Sequence, residues 1–128
     1  MIYIDSSVAL ARLLFESRSS PLEFWQAPLV SSRLLEYEIW NRVQAYGLAT
    51  SHGDRARSLL IGIELPEMER SVLARALEPW PAPLRTLDAL HLAAVDYLRR
   101  QGEAIVLASY DNRLLSAARA LAIPVAEL

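Results

Sequence analysis

The chain contains no cysteine and no lysine, and it has only two histidines and four glycines. Without cysteine it forms no disulfide, no thiolate metal site and no cysteine nucleophile, so a metal would have to sit on oxygen or imidazole ligands. The glycines, at 47, 53, 62 and 102, build neither a phosphate-binding loop nor the turn of a dinucleotide fold. No stretch approaches the roughly 20 apolar residues that cross a bilayer, and no basic leader precedes the first apolar residues, so the sequence predicts a soluble, cytoplasmic protein with no membrane partner. A net charge of −2 argues against nucleic-acid binding by bulk charge. All 13 basic residues are arginine, which suits bidentate phosphate contacts, so a local rim remains available.

At 128 residues the chain is expected to form one domain spanning 1–128, long enough to bury a proper core. Its hydrophobic fraction of 53% is high for a soluble domain and leaves apolar surface for a partner. Apolar runs alternate with amphipathic segments, the pattern of a parallel sheet flanked by helices. Strands are expected at 2–5, 29–31, 104–108 and 125–126, with a weak one near 61–65. Helices are expected at 7–16, 21–26, 33–46, 52–60, 67–77, 87–100 and 112–121. Ser32 and Thr86 are the expected caps of two of these helices, and Gly47 and Gly102 follow two helix ends. The proline-rich stretch 79–83 cannot be a helix interior.

Four carboxylates stand out. Asp5 follows the run Ile2-Tyr3-Ile4 and Asp111 follows the run 105–108, so both should lie at the carboxyl ends of buried strands, the edge where α/β sheets bind ligands. Asp88 falls in the first turn of a long helix, where the macrodipole favours an acid whatever its role. Glu36 and Glu38 share a helix, but at about 100° per residue they point roughly 160° apart. Glu38 falls within the arc of Leu34, Leu35, Ala45 and Tyr46 and is the inward one; its alternative is an ion pair with Arg42. Helix N-termini and strand carboxyl ends are the same edge, so the four acids converge on a set able to hold hard cations. Ser6 or Ser7 beside Asp5 reads either as an aid to such a site or as a helix cap. His91 reads as a satisfied interior histidine, and Asp96 as a solvated pair with Arg99 and Arg100.

Four segments, MIYIDSS at 1–7, SRLLEYEIWNR at 32–42, RTLDALHLAA at 85–94 and LASYDNRL at 107–114, together resemble the PIN-domain ribonucleases, especially the VapC-type toxins of prokaryotic toxin–antitoxin pairs. The resemblance covers the whole chain. It implies a three-layer α/β/α sandwich with a central parallel sheet, and an endoribonuclease dependent on Mg2+ or Mn2+ that cleaves structured RNA of the tRNA or rRNA class. Asp5, Glu38, Asp88 and Asp111 match the family's catalytic and metal-binding acids. Ser6 matches its small hydroxyl residue, and Ser109 stands where threonine is common. A cognate antitoxin and a homodimer follow from the same likeness. Arg42, Arg85 and Arg113 are the candidates for RNA contact. A haloacid-dehalogenase-like phosphatase would need an acid at Ser7 and is set aside. The remaining rival is a catalytically inactive module of the same fold that binds RNA or protein, and it would tolerate loss of the acids, none of which is lost here.

Overall fold

The computed structural model describes residues 1–14 and 20–128. At its centre β1 (Ile2–Ile4) lies between β2 (Leu29–Val30) and β3 (Val106–Ala108), all parallel. Ile2 pairs with Leu29 on one side and Val106 on the other. Each edge is extended by a single parallel bridge, Val30 with Glu64 and Leu107 with Val125. The strands expected near 61–65 and 125–126 are thus reduced to one pairing each, beside Pro66 and Pro124, which have no N–H to continue a ladder.

Successive strand residues point to opposite faces, and this divides the core in two. Tyr3 and Leu107 face the layer of α4 (Arg70–Ala76), α5 (Thr86–Arg100) and α6 (Asn112–Ala120). Ile4 and Ala108 face α1 (Ser6–Leu13), α2 (Leu34–Ala45) and α3 (Ala49–Ile61). The result is the expected three-layer α/β/α sandwich. Arg75 of α4 bonds Asp96 of α5 at 3.3 Å and stacks on Trp80, so Asp96 clasps two helices as well as pairing with Arg100.

Several boundaries differ from expectation. The last turn expected for the first helix, at 15–16, lies outside the described residues. The segment expected as a helix at 21–26 is a 3-10 turn, Leu22–Gln26. Helix α3 begins three residues earlier than expected and α4 three residues later. Neither Ser32 nor Thr86 is a cap: Arg33 and Arg85 occupy those positions, with no side-chain cap bond. Gly47 and Gly102, at φ +66° and +92°, do follow the ends of α2 and α5. The matching place after α6 is held by Ala122 at φ 57°, a left-handed conformation that costs a side-chain-bearing residue roughly 1–2 kcal/mol.

Candidate active site

The carboxyl ends of β1 and β3 carry the two most firmly placed acids. Asp5 follows β1 and caps α1, its Oδ1 accepting the N–H groups of Ser7 at 3.1 Å and Val8 at 3.3 Å. Asp111 repeats the arrangement at α6, where its Oδ1 accepts from Arg113 at 2.9 Å and Leu114 at 3.1 Å. A carboxylate at an N-cap satisfies two otherwise orphaned amides and meets the positive end of the helix dipole.

Two hydroxyls join these acids. Ser7 Oγ donates to Asp5 Oδ1 at 2.6 Å and accepts the Tyr110 N–H at 2.9 Å. Ser109 Oγ donates to Asp5 Oδ2 at 2.6 Å and accepts the Asp111 N–H at 2.9 Å. The separation between the ends of β1 and β3 is therefore set by serines that bridge side chain to backbone. Ser109, expected as a supporting hydroxyl, is the one that bonds Asp5 Oδ2. On the first helix the hydroxyl bonded to Asp5 is that of Ser7, one residue beyond Ser6, which merely opens α1. Neither serine caps that helix, because Asp5 does.

The other two acids come from helices. Asp88, in the first turn of α5, is half-buried, and among the described residues nothing donates a hydrogen bond to it. Glu38 lies on α2 beside the buried ridge Leu35, Ile39 and Val43, its side chain 12% exposed. That ridge corrects the expected arc, for Ala45 and Tyr46 are exposed. The expected contrast with Glu36 holds, since Glu36 pairs with Arg33 at the surface. Glu38 does not pair with Arg42. Its Oε1 instead meets Nε2 of His91, one turn beyond Asp88 on α5, while His91 Nδ1 lies 2.7 Å from the Tyr3 hydroxyl. His91 is the satisfied interior histidine the sequence suggested, and one of its partners is a site acid.

Charge and burial act together here. Burial pushes the Asp5 carboxyl up, against the opposing hydrogen bonds of Ser109 and Ser7 and the pull of His91. Burial also raises Asp88, followed by the like charges of Asp111 and Asp5, while His91 and Arg85 pull it down. Three aspartates from three elements thus lie within each other's field, with Glu38 tied in through His91. The donor set suits a hard cation: it is all oxygen, and among the described residues nothing donates to Asp88 or to Asp111 Oδ2. Among the described residues no three acidic or histidine side chains are grouped so as to hold a metal ion as they stand. The fit is therefore one of chemistry, suited to an ion such as Mg2+ that keeps several waters and takes few carboxylates directly. Arg85 precedes α5 and Arg113 sits in the first turn of α6, both exposed beside the acids. Arg42 turns away to bond the Tyr46 hydroxyl at 3.3 Å and lie over its ring.

Sequence reasoning missed the roles of Ser7 and Tyr3, because each acts through contacts between distant elements; only the proximity of Ser7 to Asp5 hinted at one of them. Comparison with curated proteins gives relatives over nearly the full length. Ribonuclease VapC47 of Mycobacterium tuberculosis is 35% identical over 126 residues, 93% of this chain and 90% of that protein. Ribonuclease VapC46 of the same species is 33% identical over 97% of this chain and 95% of its own. Ribonuclease VapC35 is 29% identical over 98% and 95% respectively. No family model matches the chain, and no solved structure matches it.

Proposed function

The chain belongs to the VapC ribonuclease family of PIN-domain toxins, and from that premise we propose that it is a Mg2+- or Mn2+-dependent endoribonuclease toxin acting on structured RNA of the tRNA or rRNA class. The observation that carries this reading is the placing of Asp5 and Asp111 at the sheet's carboxyl edge with Asp88 beside them, whose carboxyl is raised first by burial and then by the charges of Asp111 and Asp5. Like charges held together without full pairing are a stability cost that a bound cation relieves. When bound, a divalent ion supplies a water of lowered pKa and neutralises charge developing on the phosphate. The protein's own part is to hold the acids. Ser7 and Ser109 fix Asp5, the start of α6 fixes Asp111, and His91 fixes Glu38. Arg85 and Arg113, exposed at two helix starts on the same edge, are suited to grip phosphate oxygens of the RNA.

The test is cleavage of total RNA, with its ends mapped, by wild type, Glu38→Gln and Glu36→Gln in Mg2+ and in chelator. Chelator and Glu38→Gln should each abolish cleavage, and Glu36→Gln should leave it intact. Full activity in chelator would end the metal-dependent reading, and loss in Glu36→Gln alone would place the wrong acid in the site.

The partners belong to the same reading: a cognate antitoxin that covers the acidic edge, and a second copy of the chain. Leu73 of α4, Leu77 just after it and Leu87 of α5 stand exposed, Leu77 at 89%, and this supports an apolar contact between copies. A light-scattering mass of one chain at tens of micromolar would remove the homodimer, since an interface of about −8 kcal/mol associates in that range.

A further inference from the structure

We propose that His91 is a positioning residue that holds Glu38 in the site, with Tyr3 fixing the orientation of its ring. This rests on the metal-dependent nuclease reading above and adds to it two residues that touch neither metal nor RNA.

Glu38 needs such a device. It hangs from α2, whose buried ridge packs in the layer of α1 and α3, yet its carboxylate meets a residue of α5 in the opposite layer. Among the described residues no backbone amide holds it, and a glutamate side chain left to itself samples many rotamers. The remaining choice is where the proton lies. A carboxylate oxygen can only accept, so the nitrogen facing Glu38 must donate and Nε2 carries the hydrogen. That leaves Nδ1 for the Tyr3 hydroxyl, 2.7 Å away. Tyr3 is fully buried within β1, so its hydroxyl anchors the Nδ1 edge of the ring and keeps the Nε2 edge turned toward Glu38.

The chain of contacts therefore runs from the central strand through α5 to α2. It also gives one face of α5 two duties. Asp88 enters the site directly, and three residues later His91 enters through Glu38. Outer partners of this kind commonly set the affinity of the ligands they orient.

The experiment compares Mn2+ affinity, by titration calorimetry, of wild type, His91→Asn, His91→Gln and Tyr3→Phe, with thermal melts to confirm that each is folded. The asparagine amide reaches only as far as Nδ1 does, whereas the glutamine amide reaches the place of Nε2. His91→Asn should lose about 10- to 100-fold in affinity, His91→Gln should recover most of it, and Tyr3→Phe should lose less than His91→Asn. The 15N spectrum of the metal-free wild type should show a proton on Nε2 of His91. Undiminished affinity in His91→Asn, equal losses in the asparagine and glutamine variants, or an Nε2 without a proton would overturn the assignment. A wild type that binds no Mn2+ at all would instead end the underlying metal reading, and the positioning role with it.

Discussion

Asp5 and Asp111 come off strand ends and each cap the helix that follows, whereas Asp88 and Glu38 project from within helices and, among the described residues, hold no backbone amide. The first pair is therefore part of the scaffold as well as of the candidate site. Of the second pair, Glu38 is the partner of the buried His91, and Asp88 does least for the scaffold. One consequence is that the usual way of testing an acidic site, replacing each acid in turn, measures different things at different acids. Loss of function at Asp5 or Asp111 would mix chemistry with folding, loss at Glu38 would include an unpaired His91, and loss at Asp88 would come nearest to reporting the candidate site alone.

The comparison breaks most readily at Asp5. Asp5→Ala removes a cap for two amides and leaves the Ser7 and Ser109 hydroxyls without their acceptor, so it should destabilise by about 3 kcal/mol. Asp88→Ala should cost less than about 0.5 kcal/mol in chelator, where it removes only a repelled charge. Urea unfolding of both variants decides it, and a larger loss at Asp88 would erase the distinction.

Asp88→Asn sharpens the contrast by keeping shape and removing charge. In chelator at neutral pH it should melt a few degrees above wild type, and saturating Mn2+ should reverse the order because a ligand of the folded state stabilises the protein that binds it. The pH dependence has a definite sign. Burial and acidic neighbours raise the folded carboxyl above its unfolded value, so its ionised form costs stability above the folded pKa, and that cost fades as pH falls through it. The advantage of Asp88→Asn in chelator should therefore shrink as acid is added. An advantage that grows with acid would assign the strain to another group.

The smallest effect separates cap from ligand at Asp111. Serine caps a helix about as well as aspartate, so Asp111→Ser should stay within about 0.5 kcal/mol of wild type while Asp111→Ala loses about 1 kcal/mol. Cleavage should fall equally in both. Activity retained by Asp111→Ser would reduce Asp111 to a cap.

The layered fold was legible because the buried strands are short unbroken apolar runs and the helices between them carry periodic ones. The edge pairings at Glu64 and Val125 were overstated, since prolines beside them stop the ladder after one bridge. Helix starts were misjudged where arginine, a poor cap, holds the position because tertiary packing fixes the chain there. Glu38 was separable from Glu36 by phase alone, even though the arc chosen for it included Ala45 and Tyr46, which are exposed; the true ridge is Leu35, Ile39 and Val43. What the sequence could not show was anything that depends on two elements meeting. Ser7 reaching Tyr110 and His91 standing between Tyr3 and Glu38 span separations of 103, 88 and 53 residues, and no local pattern encodes them.

The shared role of Asp5 and Asp111 also gives the molecule a built-in gauge. Each carboxylate holds two amides at the first turn of a helix, those of Ser7 and Val8 in α1 and of Arg113 and Leu114 in α6. Anything that draws electron density from those oxygens weakens four N–H···O hydrogen bonds at known places, so occupancy of the acidic edge becomes readable as a change in amide hydrogen exchange at two helix starts, without a substrate and without altering a residue.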